Sequence, residues 1–400
     1  MSTLMVAGLL LLNVAAARGS DVKVLQLAVS NPTSQSRAAE NVVVSVAELK
    51  RVAPDFTAAS AIVKTEDARE LPSQADDLDG DGEADEIAFQ VELRPRQTRV
   101  LTIAYGDGVT RGDYPKRTHA RFAEKFEGMG WESETTAWRL YFDPRNAIDL
   151  FGKRRPGLYL ETFGSPGYDY HAESPAGRDI YKIGDALGIG SVGALVDGQV
   201  VKVSDVASRS WRVLADGPVR SVVSLSYKGW KVGGRAVDLV SRITVWAGER
   251  GFEHRVAAEN AAGLRLVTGL PLKASVRTTY LEPGAGNTFA WYASWGHQVL
   301  MPGATATESL PDQNLGLAVI ALGVASRQAG GDWWNVLLRP ELVDGTARWY
   351  VLAAWDQENG GHALTTRESF MELVKETGER LSRPAQVRVL SQARKGGGVR

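Results

Sequence analysis

Residues 219–259 read VRSVVSLSYKGWKVGGRAVDLVSRITVWAGERGFEHRVAAE. Three β-rich runs, 219–230, 235–246 and 252–259, are separated by Lys231-Val232-Gly233-Gly234 and Gly248-Glu249-Arg250-Gly251. Long runs of valine, isoleucine and aromatic residues with glycine-bearing interruptions predict a meander of antiparallel strands. More strand-like pieces follow at 264–280, 288–295, 315–324, 334–339 and 347–355. One helix is predicted at 366–381, where Phe370, Leu373 and Val374 recur at helical spacing and Thr366 stands at the cap position.

Toward the amino terminus, residues 22–29 and 42–46 are β-like. Residues 87–93 and 99–105 alternate on either side of a turn around Pro95 and read as a hairpin. No repeat, linker or charge block divides the chain. The expectation is an all-β fold: one large antiparallel β-sandwich over residues 18–395 with one C-terminal helix. A small N-terminal sheet, residues 18–110, is expected to pack beside it.

The formal net charge is −1, so there is no basic footprint and no electrostatic reason to expect nucleic acid as a partner. There is no cysteine, which excludes disulfides, thiolate metal sites and a cysteine nucleophile. The 11 tryptophans either fill a sandwich core or offer stacking platforms for sugars. Residues 1–17, MSTLMVAGLLLLNVAAA, carry a short apolar run ending in small residues. Although a positive n-region is missing, this is the shape of a secretory signal peptide. A periplasmic or secreted mature protein is therefore expected, with no membrane insertion, because no later stretch is long and apolar enough.

Residues 77–86, DLDGDGEADE, place Asp77, Asp79, Asp81 and Asp85 at positions 1, 3, 5 and 9 of a calcium loop, with Gly82 at position 6. Ala88 stands where the bidentate glutamate belongs. Two readings stay open: a structural Ca2+ site, or a solvated acidic turn.

Residues 131–190 gather Arg139, Asp149, Lys153, Tyr170, His171, Asp179 and Lys182 among aromatics and glycines. Ionisable groups converging on apolar walls are what a ligand site requires. The order of DDLDGDGEADEIAF, WESETTAWRLYFD, DLFGK, DYH, GRDIYKIGDALGIG, GPVRSVV, YKGWKVGG and YVLAAWDQE resembles the Domain of Unknown Function 4861 (DUF4861) family over nearly the whole mature chain. That resemblance implies an exported bacterial protein associated with polysaccharide breakdown. It also implies a supersandwich similar to galactose mutarotase and to some polysaccharide lyases. It assigns no reaction.

The residues themselves suggest one. His171 is the first candidate for moving a proton at neutral pH, against a structural histidine bonded to backbone. Alternation in a strand beginning at Trp131 would put Trp131, Arg139 and Tyr141 on one face, an aromatic platform beside a guanidinium that grips a carboxylate at two points. Arg139 in an internal salt bridge is the alternative. Lys153 either reaches an anion or lies in a surface basic run. Tyr170 and Tyr141 offer acidic protons. Asp149 and Asp179 would orient a histidine, bind hydroxyls or cap turns. Trp295 and His297, near Trp291 and Tyr292, suggest a sugar-binding wall. His119, His297 and His362 rank together behind His171, and His254, in mid-strand, reads as structural.

These types suit β-elimination on an anionic, uronic-acid-containing saccharide, which needs a cation at the carboxylate, a base and an acid. A hydrolase or mutarotase-like enzyme, or a non-catalytic glycan-binding protein, are the alternatives. No organic cofactor motif is present.

Overall fold

In the computed structural model the meander is the centre of an eight-stranded antiparallel sheet. Arg220–Val232, Arg235–Trp246 and Gly251–Glu259 are consecutive neighbours, with Ser208–Asp216 at one edge. Thr346–Trp355, Ser309–Leu322, Phe289–Val299 and Thr278–Leu281 extend it on the other side. Gly233 and Gly234, at φ 57° and 74°, make the tight turn that residues with a Cβ resist. The structure describes residues 22–271, 278–281, 289–299, 309–322, 328–330, 335–338, 343, 345–359 and 363–392. The expected leader at 1–17 and the candidate His362 lie outside them.

Two five-stranded sheets face the central one. The first runs, in spatial order, Gly177–Asp179, Ile148–Lys153, Ala137–Tyr141, Gly128–Ser133 and Thr118–Ala123. The second is built on Gly193–Val196 and Arg265–Pro271. Trp131, Trp138 and Leu150 of the first sheet pack on Ile243, Phe252 and Trp349 of the central sheet, all buried. Phe252 meets both tryptophan rings edge-on at 5.1 and 4.9 Å. These tryptophans are therefore core, and truncating either to alanine would cost about 3–5 kcal/mol.

The amino-terminal part is a sandwich of two sheets with its own core of Leu25, Val44, Phe89 and Ile103. Here the expected hairpin is corrected. Glu86–Leu93 pairs with Arg37–Ser45 and Ser73–Asp76 in a three-stranded sheet. Thr98–Tyr105 pairs instead with Lys23–Ser30 and Ile62–Lys64 in the other layer. Each strand buries one face against the shared core, so both alternate, and alternation alone does not name the partner strand. The last strand, Gln386–Gln392, returns to pair with Lys23–Ser30.

The C-terminal helix, Arg367–Ser382, begins where Thr366 accepts a hydrogen bond from Ser369 N at 3.2 Å. Its apolar stripe, Phe370 and Val374, lies on the outer face of the central sheet against Trp295 and Tyr350. Two shorter helices, Val46–Val52 and Leu160–Phe163, were not expected from the periodicity. No described helix is long and apolar enough to cross a membrane.

Candidate active site

Trp131 and Trp138 are direct partners on adjacent antiparallel strands, and both face the core. Arg139, the next residue, must then point to the opposite face. The expectation that Trp131 and Arg139 share a face is corrected. Residues 131–141 are two strands, Gly128–Ser133 and Ala137–Tyr141, joined by a turn that resets the alternation. Arg139 and Tyr141, two residues apart on one strand, do share a face.

That outer face carries Asp149 directly opposite Arg139, and Asp179 on the next strand opposite Phe151. The segment around Leu160–Phe163 and Tyr170 covers it, building a small aromatic cluster on Phe126, Phe151, Leu160 and Phe163. Asp179 N donates to the Tyr170 carbonyl at 2.7 Å, which brings His171 over the Asp179 carboxylate.

Arg139 is the hub. Its Nη2 donates to Asp149 Oδ2 at 2.8 Å and to Asp179 Oδ2 at 2.7 Å, and its Nε reaches Asp149 Oδ2 at 3.1 Å. The rings of Tyr141, Phe151 and Tyr170 surround the guanidinium at 4.6, 5.1 and 5.2 Å. The internal salt bridge is thus the observed arrangement. It leaves one opening: Nη1 is buried without a hydrogen-bond partner. A buried donor left unpaired costs about 1–3 kcal/mol.

Two carboxylates on one guanidinium cannot both ionise freely. Burial and the neighbouring Asp179 charge push Asp149 up to about 7, against the pull of Arg139. Burial raises Asp179 as well. The pair therefore holds a proton at higher pH than an ordinary carboxylate. Tyr141 OH lies 3.4 Å from Asp149 Oδ2, and burial followed by the Asp149 charge raises its pKa, so the phenol keeps its proton. His171 Nδ1 lies 3.5 Å from Asp179 Oδ2, with its side chain 66% exposed. Partial burial and then the Arg139 charge lower its pKa, so the ring is a free base at neutral pH.

Arg139, Tyr141, His171 and Asp179 line one cleft of about 930 Å³, with Arg178 and Lys182 also in its wall. Lys182 is exposed and, among the described residues, has no ion pair. Tyr170 packs under His171, ring to ring at 4.4 Å.

Other expected site residues lie elsewhere. Lys153 is 2% exposed, bonded to Glu132 at 2.5 Å and to the carbonyls of Ser133 and Gly157. Glu132 also accepts from Tyr159 N and Leu160 N at 2.9 Å, so the pair fastens the covering segment, and Lys153 does not line the cleft. His119 sits between Asp216 at 2.9 Å and Glu161 at 3.1 Å, and the Asp216 bond raises its pKa. It does not line the cleft. Trp131 and Trp295 are buried, Trp295 beneath the C-terminal helix, so neither is a sugar platform. His297 follows on that same strand, away from the cleft. His254 is buried between Gly190 O and Ser241 Oγ, and burial pushes it down to about 4, as a structural histidine. The sequence reading missed Glu132 and Arg145. Arg145, stacked on Tyr141 at 3.8 Å, edges the cleft beside a turn.

The acidic loop brings carboxylate oxygens of Asp77, Asp79 and Asp85 within 4.8 Å of one another. Asp81 is outside that group and accepts from Glu83 N instead. The Asp77 carboxylate already accepts from Gly80 N and Gly82 N. Three hard oxygens suit calcium, but the position of Ala88, buried in the strand Glu86–Leu93, supplies no further ligand.

The model of the family described as Domain of unknown function (DUF4861) matches residues 29–387. A protein of Formosa agariphila named Uncharacterized protein P7 is 22% identical over 345 residues, covering 80% of this chain and 82% of its own. A protein in the glycosyl hydrolase family 38 from Enterococcus faecalis superposes with a TM-score of 0.46 at 9% identity, over 94% of this chain and 48% of that one. An alpha-mannosidase from Enterococcus faecalis V583 gives 0.45 at 9% identity, over 92% and 46%. The chain spans about half the length of these two solved structures.

Proposed function

The chain belongs to the DUF4861 family, and we propose that it is a carbohydrate-active enzyme that cleaves uronic-acid-containing saccharides by β-elimination. The observation that carries this reading is a cleft lined by His171, Tyr141 and Arg139, whose buried Nη1 has no hydrogen-bond partner. A substrate carboxylate would satisfy that donor with a charge-assisted bond, and Lys182 would add a second cation.

The chemistry follows from the protonation states. His171, a free base, takes the proton from the carbon beside the carboxylate. That electron pair becomes the ring double bond as the C4–O bond breaks. Tyr141, which keeps its proton, gives it to the departing oxygen. Charge that builds on the carboxylate is met by Arg139 and Lys182. One saccharide becomes two, one of them ending in an unsaturated uronate, and no water is consumed. Asp149 and Asp179 are both bonded to Arg139 and act by holding its guanidinium in place.

The reading is tested by offering matched saccharides with their carboxylates intact or reduced to alcohols. Cleavage of the acidic form alone supports it. Equal cleavage of both assigns the cleft to neutral-glycan hydrolysis.

A further inference from the structure

The outer face of the central sheet carries a row of like charges. Arg242 lies directly opposite Arg255, and Arg255 directly opposite Arg348, on three neighbouring strands. Like charges in directly paired positions repel and destabilise a sheet. The compensation present is small. Glu253 accepts from Arg255 Nε at 2.6 Å and lies 3.6 Å from Arg348 Nη1. Arg242 is exposed and, among the described residues, has no hydrogen bond or ion pair.

The row is not on open surface. It lines a groove of about 260 Å³ walled by Asn41 and Val43 of the amino-terminal sandwich and by the end of the C-terminal helix at Leu381. The walls are fixed. Arg220 is bonded to Asp76 at 2.7 Å, Arg380 to Glu249 at 2.6 Å, and Asn41 to Glu249 at 3.0 Å. These two arginines have acidic partners, whereas in the row Arg255 and Arg348 share Glu253 and Arg242 has none. Glu40 and Glu86, which also line the groove, are bonded to Arg37 and Arg220. Ile243, Val256 and Trp349, neighbours in sequence of the three arginines, face the core, so this groove and the cleft lie on opposite sides of the sheet.

We propose that this groove is a second binding site, for a carboxylate or sulfate group, held by Arg242 with Arg255 and Arg348 beside it. Planar guanidinium forks match such oxyanions at two points, and a bound anion relieves the repulsion along the row. The volume admits one charged group or one sugar unit. The source is either an acidic saccharide or a free inorganic anion.

Calorimetry on the intact protein separates these cases, with glucose 6-sulfate, glucuronate and inorganic sulfate as probes. The expected result is binding that Arg242→Gln weakens by about tenfold or more, the value of a lost charge-assisted bond. Turnover should stay unchanged and the melting temperature should not fall, because Arg242 has no partner to strand and its loss relieves repulsion along the row. Arg242→Glu should remove binding altogether. Tighter binding of the sugar probes supports a saccharide-borne group, and tighter binding of inorganic sulfate supports a free anion. Absence of binding by all three probes, or affinity equal in wild type and Arg242→Gln, overturns the site. The readout is binding, so it stands apart from whether the cleft performs elimination.

Discussion

His171 Nδ1 lies 3.5 Å from Asp179 Oδ2, the same oxygen that accepts the Arg139 guanidinium at 2.7 Å. A mostly exposed imidazole thus stands beside a buried charge network. The ring can exchange protons with solvent and substrate, and it packs on Tyr170 at 4.4 Å.

Replacing His171 with alanine removes the proposed base and little packing. Turnover is expected to fall about 100- to 10,000-fold. The melting temperature should hold within a degree or two, since exposed positions contribute little. Steady-state kinetics with a melting curve on the same sample checks both.

The pH profile has a stated shape. With the His171 pKa lowered from 6.5, the free base persists to more acidic pH, so the acidic limb should lie below the ordinary histidine range. Tyr141 is shifted up from 10.0, so no basic limb from it is expected where an ordinary tyrosine ionises. Tyr141→Phe should cut turnover without moving the acidic limb. An acidic limb above the ordinary histidine pKa would remove His171 as base.

Arg139→Ala strands two buried carboxylates, which is expected to cost about 3–5 kcal/mol. Arg139→Lys keeps a charge and should recover part of that stability. It should not recover turnover, because a compact ammonium lacks the planar fork by which the guanidinium would meet a carboxylate at two points. Denaturant melts of both variants, set beside their kinetics, separate the two roles.

His254 gives a stability test with a sign. Its pKa is about 4 in the folded protein against 6.5 ordinarily, so in that window the unfolded chain binds more protons. Stability is then lost as pH falls from the ordinary value toward the folded one, by roughly 3 kcal/mol in all. The raised Asp149 and Asp179 work the other way, favouring the fold at low pH. The comparison is therefore wild type against His254→Gln, whose stability should fall less steeply over the same window.

We propose that the loop at Asp77, Asp79 and Asp85 takes a structural calcium ion. A chelator should then lower the melting temperature and added calcium restore it, by mass action on the folded state. Identical curves with and without chelator would leave an acidic turn.

The central meander was legible because strict alternation and glycine turns coincide from Val219 to Glu259. The partner of Glu86–Leu93 was not, since a half-buried strand alternates in whichever layer it lies. The density of charge and aromatics in residues 131–190 located the cleft. It did not show which cations were already neutralised. Lys153 and Glu132 meet across strands, and His119 meets Asp216 from a different sheet. The arginine row was invisible for the same reason, because Arg242, Arg255 and Arg348 become neighbours only through strand register.

The most direct measurement is the near-ultraviolet absorbance of a uronic-acid polysaccharide incubated with the protein, followed by mass analysis of the products. The account predicts a rising enol-ether band and fragments one water lighter than hydrolysis would give, both absent with His171→Ala. Saturated fragments with no absorbance change, from an active preparation, would contradict it.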